Sequence, residues 1–221
     1  MKERPIIFSG PMVRAILDGR KTQTRRVLKP PTGKGWYLRT STGAALGKIL
    51  SSHPKKGKFG AFFRREIFPD SGKFELDLVP CPYGQPGDRL WVRETWAVGA
   101  DYARDDGLVV YKADEKPQHP TGPWRPSIHM PRWAARVLLE ITNVRVERLQ
   151  CISEADAMAE GVTPLKGGGG PNHFTVGVDV AHLNSPTAGG AFAMLWDWIN
   201  GDESWDTNPW VWVVEFRRIR P

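Results

Sequence analysis

The last regular stretch of the chain, Pro209–Ile219, sets the narrowest limit on the fold. Trp210, Trp212, Val214 and Phe216 alternate there with Val211, Val213 and Glu215. Strict alternation marks a strand with one buried face, and apolar residues on both sets mark a strand covered on both sides. The chain must therefore supply neighbours and covering layers for a central strand. Candidates are in view. Pro5–Ser9 is a short apolar strand, and Leu108–Lys112 is another. Arg89–Val98 alternates, with Leu90, Val92, Glu94 and Trp96 on one face. Trp133–Leu149 places Val137, Leu139 and Ile141 on one face, and its alternation shifts after Asn143 to Val144 and Val146, which predicts a bulge or a corner. Gly60–Arg65 and Phe74–Leu78 are expected to pair as a hairpin.

Helices are few and short. Pro11–Asp18 has proline where a first turn tolerates it, and Gly19 is a natural stop. Ser153–Gly161 opens on Ser153 with Asp156 three residues on, which resembles a capping box. Ala191–Ile199 carries Phe192, Leu195, Trp196 and Ile199 on one side. Many strands with few helices predict an α+β fold, a small curved sheet or barrel decorated by short helices. The 221 residues suffice for one domain, 1–221, with two long insertions. Residues 32–79 are rich in Gly, Ser and Lys and are read as a partly mobile surface insertion. Residues 163–190, with Gly167–Gly170, are read as a long loop, a mobile lid or rim.

Charge is segregated along the chain. Residues 1–65 hold sixteen Lys/Arg against only Glu3 and Asp18, a net +14, while the remainder holds fifteen against twenty-two Asp/Glu, a net −7. Concentrated like charge repels itself unless an anion neutralises it, and phosphate backbones are the usual partner. Ten tryptophans add stacking surface, although most are expected in the core. No apolar run reaches the ~18 residues of a membrane helix, so no membrane partner is expected. The N-terminus lacks the apolar stretch of a signal peptide. Cys81 and Cys151 are the only cysteines and sit in no metal-ligand spacing. A reducing, cytoplasmic setting is expected, with no metal and no cofactor.

The densest candidate for chemistry is Asp18-Gly-Arg-Lys-Thr-Gln-Thr-Arg-Arg26. It lacks P-loop spacing. Lys21 and Thr24 are three apart, so they would face opposite ways on a strand and the same way on a turn; the segment is read as a loop or turn. Glu94 sits on an apolar strand face, where a bare carboxylate is costly, and is expected to pair inward with a cation of Arg20–Arg26. His129, between prolines, is read as a structural hydrogen-bonding residue.

The Gly-Arg-Lys-Thr-x-Thr-x-Arg run after an N-terminal helix resembles the signature of ASCH domains, which share a PUA-like β-barrel. Pro86-Gly-Asp-Arg-Leu-Trp-Val-Arg-Glu-Thr-Trp96, the Ser153–Val162 helix and Trp212-Val-Val-Glu-Phe216 resemble further elements in order. Long forms with Arg-Glu-Thr-Trp and Asn-Pro-Trp-Val-Trp are typical of phage and prophage genes, which implies the cytoplasm of a bacterium or an infected host. Small bacterial members are amidohydrolases that remove the acyl group of N4-acetylcytidine with a Lys, a Thr and a Glu. The resemblance implies Lys21, Thr24 and Glu160 as those residues here. It implies nucleic acid or a modified nucleoside as partner, met also by Arg20, Thr22, Arg25, Arg26 and Glu94. Lys55, Lys56 and Lys58 are the expected contacts of a polymer. Amide cleavage needs a nucleophile, a base and oxyanion donors. Thr24 can be the nucleophile, and Lys21 its base only if neutral, which burial and neighbouring arginines favour and a carboxylate opposes. Glu160 can orient the ligand amine or shuttle a proton. Two other functions stay open, a non-catalytic reader of modified or structured nucleic acid and a ribonuclease.

Overall fold

The computed structural model describes residues 1–39, 46–49, 54–99, 108–114, 120–165, 173–175 and 183–219. Its centre is a five-stranded mixed sheet made of β1 (Glu3–Ile7), β2 (Gln23–Val27), β7 (Arg89–Arg93), β10 (Leu138–Arg148) and β14 (Trp210–Ile219), in the order β1-β7-β10-β14-β2. β14 is interior, and Val211–Val214 are buried on both faces, as the double alternation requires. Trp212, Val214 and Phe216 face a main core with Leu90, Val92, Leu139 and Ile141. Val211 and Val213 face a second core under α3 (Ala188–Asn200). The bulge is present: β10 and β14 change register between Ile141 and Asn143.

The fold is α+β, mostly strands with three short α-helices among the described residues, and the sheets are open. The expected closure into a barrel is not seen. Among the described residues β1 pairs only with β7, and β2 only with β14, so both end the sheet as edges. A side chain spans the gap instead. Arg26 Nη2 donates to the Ile7 carbonyl at 2.6 Å, and its guanidinium lies 5.3 Å from the Phe8 ring centroid.

Two strand expectations need correction. The loop read at Arg20–Arg26 is a turn only as far as Thr22; Gln23–Val27 is β2, because five ladder positions against β14 outweigh its charge. Arg89–Val98 is not one strand. It breaks at Glu94-Thr95, and Trp96–Gly99 (β8) pairs with Leu108–Tyr111 (β9) in a separate ribbon. The break lets the buried Glu94 carboxylate meet Arg136.

The stretch 32–79 is joined to the core rather than laid on its surface. Phe59–Glu66 (β5) and Phe74–Pro80 (β6) form the expected hairpin, extended by Tyr37–Leu38 (β3) and Leu46–Lys48 (β4). Leu38, Ala61 and Phe63 pack into the main core. Residues 40–45 and 50–53 of that stretch lie outside the described residues. So do 166–172 and 176–182 of the expected lid; its described parts include the short strands Thr163–Pro164 (β11), Phe174–Thr175 (β12) and Asn184–Ser185 (β13). Helix α3 begins at Ala188, earlier than its apolar period shows. Thr187 caps it by accepting from Gly190 N at 3.0 Å, and Glu154 accepts from Ala188 N and Gly189 N.

The Pro86-Gly87-Asp88 turn is tied to the N-terminal strand. Asp88 accepts from Lys2 N at 2.8 Å, Arg4 Nη1 at 3.0 Å and Gln85 N at 3.3 Å. Burial pushes its carboxyl up, but these three donors together hold it below the ordinary value. A depressed folded-state pKa contributes stability above the unfolded pKa, and that stability is lost as pH falls through the folded one. Asp88→Asn is expected to cost about 1.5 kcal/mol at neutral pH. Urea denaturation at several pH values should show the gap to wild type closing in acid, below the usual carboxylate range.

Candidate functional site

Helix α1 (Gly10–Leu17) ends at Gly19, whose φ of +74° turns the chain sharply. Arg20 N and Lys21 N both donate back to Ala15 O, and Thr22 N donates to Ala159 O at 2.8 Å. The turn is thereby fastened to the end of α2 (Glu154–Ala159). Gly161 makes that approach possible: its φ is +104°, and a Cβ there would lie 3.3 Å from Ala15 Cβ and 3.5 Å from Lys21 Cβ. Ser153 caps the other end of α2, accepting from Asp156 N at 3.1 Å.

Lys21 and Glu160, far apart in sequence, consequently meet. Lys21 Nζ donates to Glu160 Oε2 at 2.7 Å and to Glu160 O at 2.8 Å, with the lysine side chain wholly buried. Burial pushes the Lys21 amine below its ordinary value. Arg26 and Arg25 push the same way, and Glu160 opposes them. Both forces on the lysine foreseen from the residue types are present, and burial prevails.

Arg25 joins this pair to a wider network. Its Nη1 donates to Glu160 Oε1 at 3.2 Å, and its Nη2 lies 2.5 Å from Glu147 Oε1 and 3.3 Å from Asp156 Oδ2. Arg145 bonds to Glu147, Asp156 and Glu215. Register explains the assembly. Arg25 and Arg145 both pair with Val213, so cations from two strands stand side by side beneath α2, which supplies Asp156 and, just past its end, Glu160.

At the free edge of β2 a cleft of about 240 Å³ opens toward α3. Thr24, Arg25, Arg26 and Glu160 line it, with Phe192 and Trp196 of α3. Thr24 is buried, and its hydroxyl makes no hydrogen bond among the described residues. Arg25 Nε, Arg26 Nε and Trp196 Nε1 are buried donors without a partner among the described residues. Buried unpaired donors are costly and mark places where a ligand acceptor can bind. The cleft thus combines a hydroxyl, a carboxylate, cationic donors and aromatic walls. Lys21 does not line it; it stands behind Glu160.

The other expected residues are placed differently. Arg20 is exposed and pairs with Asp18 at 2.8 Å. Thr22 is exposed and acts through its backbone, accepting from Phe216 N. Glu94 is buried, as expected, but its partner is Arg136, bonded to both oxygens at 3.0 Å, and not a cation of Arg20–Arg26. Burial pushes the Glu94 carboxyl up against that arginine. Lys55 is engaged by Asp77 and Leu78 O, whereas Lys56 and Lys58 are exposed. His129 is exposed. No group of three His, Cys, Asp or Glu able to hold a metal occurs among the described residues, and no described helix is long and apolar enough to cross a membrane.

Residues missed from the sequence are Arg145, Glu147, Asp156, Phe192 and Trp196. A detectable signal existed for the first two. Arg145 and Glu147 share one face of β10, where partial burial would demand partners. Folding also undoes much of the charge segregation: Arg4, Lys21, Arg25, Lys55 and Arg65 all pair with carboxylates from beyond residue 65. Comparison with protein-family models, with curated proteins and with solved structures gave no match.

Proposed function

We propose that the cleft at the edge of β2 takes an N4-acylated cytosine and hydrolyses its amide, as the likeness to ASCH amidohydrolases implies. One observation carries the reading: Thr24 and Glu160 line one cleft, and the carboxylate of Glu160 is bonded to a buried lysine whose pKa is depressed. On this reading the Thr24 hydroxyl attacks the acyl carbon, and its proton passes to Glu160. Lys21, in contact with that carboxylate, shares the proton. Arg25 or Arg26 donates to the oxyanion. The carbon–nitrogen bond then breaks, the 4-amino nitrogen takes the proton, and water cleaves the acyl-threonine ester. Phe192 and Trp196 offer flat faces for the base, and the volume suits a nucleobase rather than a folded polymer. The open sheet, with Arg26 reaching from β2 to the end of β1, is read as a PUA-like barrel whose seam is bridged by a side chain.

A second reading, a non-catalytic binder of a modified base, draws on the paired state of Lys21 and Glu160, which is also what a structural ion network looks like. Incubation of the full chain with a panel of N4-acylated cytidines and acylated oligonucleotides separates the two. Mass spectrometry is expected to find cytidine and the free acid. Saturable binding without any product would leave the binder reading in its place.

A further inference from the structure

A second cleft, sharing no residue with the first, lies where the start of β1 meets β4 and the β5–β6 sheet. Its volume is about 440 Å³, within the ~300–1,000 Å³ of ligand sites. Lys2, Arg4, Lys48 and Lys58 line it. Among the described residues the only carboxylate in its wall, Asp88, is taken up by Arg4 and by the Lys2 and Gln85 backbone amides. Lys2, Lys48 and Lys58 are exposed and have no carboxylate partner among the described residues. Phe59 and Pro80 add apolar wall to the same cleft.

Three lysines lining one concavity with no carboxylate partner among the described residues repel one another, and an anion with several charges relieves that repulsion. Ammonium groups bind phosphate as point charges, without the planar fork that carboxylate recognition favours. An apolar wall in the same cleft suits a sugar or base attached to the phosphate. Folding neutralises several basic residues of the N-terminal part, as described above, and leaves Lys2, Lys48 and Lys58 in this cleft without a carboxylate partner among the described residues. We propose that the cleft is a phosphate-binding site that holds the phosphodiester backbone of a single nucleic-acid strand. It rests on the nucleic-acid reading above for the identity of the ligand, but on none of that site's residues.

The test uses the full chain and a fluorescently labelled single-stranded oligonucleotide, with anisotropy read at three or more salt concentrations. Each phosphate neutralised on a single strand, with release of its counterion, contributes about 0.7 to the logarithmic salt slope. Lys48→Ala/Lys58→Ala is expected to lower the slope by about 1.4. Lys55→Ala, a substitution at a residue already held by Asp77, should leave it unchanged. Inorganic pyrophosphate and a mononucleotide serve as competitors. Weak competition at millimolar concentration fits a strand ligand. Tight pyrophosphate binding together with no oligonucleotide binding would overturn the strand assignment. An unchanged slope in the double variant, or an equal drop in Lys55→Ala, would overturn the site itself. Cytidine release from N4-acetylcytidine should be the same in the double variant as in wild type, so failure here and failure of the hydrolase reading are separate results.

Discussion

On the proposed hydrolase reading, Thr24→Ala is expected to lower cytidine release from N4-acetylcytidine by about a thousandfold or more, since removing the proposed nucleophile leaves only binding and oxyanion donors. The hydroxyl has no structural partner among the described residues, so its loss orphans nothing. Melting temperature and the salt-dependent binding of an oligonucleotide should stay near wild type. Glu160→Gln is expected to reduce turnover as well, but with a different signature. It removes a charge that Lys21 and Arg25 both contact, so stability falls with activity. A variant that loses turnover at constant stability therefore identifies chemistry, and only Thr24 is placed to show that.

The second large effect is on stability. Arg25→Met should destabilise the fold by about 3–5 kcal/mol, the cost of removing one partner of a buried ion pair, here with Glu160. The side chain is wholly buried and touches Glu147, Asp156 and Glu160. Arg20→Ala, five residues earlier, should change stability by less than about 0.5 kcal/mol, because its pair with Asp18 is exposed. Urea denaturation of the two variants checks the contrast directly. Similar losses would mean that the Arg25 network contributes little beyond surface pairing.

The pattern of what could be read in advance has a physical basis. Features with period two were legible: the double-faced β14, the bulge in β10, and the β5–β6 hairpin. Local caps were legible too, at Gly19, Ser153 and Gly161. Strand β2 was hidden because its charges read as a solvated loop, and Arg25 is buried only through carboxylates more than a hundred residues away. Glu94 shows the same limit. Its burial followed from its apolar strand face, but its partner could not, since Arg136 reaches it from beyond the β8–β9 ribbon. Segregated charge along the chain is likewise no measure of segregated charge in space. Lys21, Thr24 and Glu160 were gathered by a likeness of motif, not by spacing. The aromatic wall from Phe192 and Trp196 depends on how α3 packs, which no local pattern encodes.

The most direct measurement is a crystal structure of Thr24→Ala soaked with N4-acetylcytidine, a pairing that keeps the ligand intact. The expected density has the base between β2 and α3, against Phe192 and Trp196, with the acyl carbonyl facing position 24 and within reach of Arg25 or Arg26. Clear density for the nucleoside elsewhere on the protein, with the β2 cleft empty at saturating ligand, would contradict the assignment of this cleft as the site.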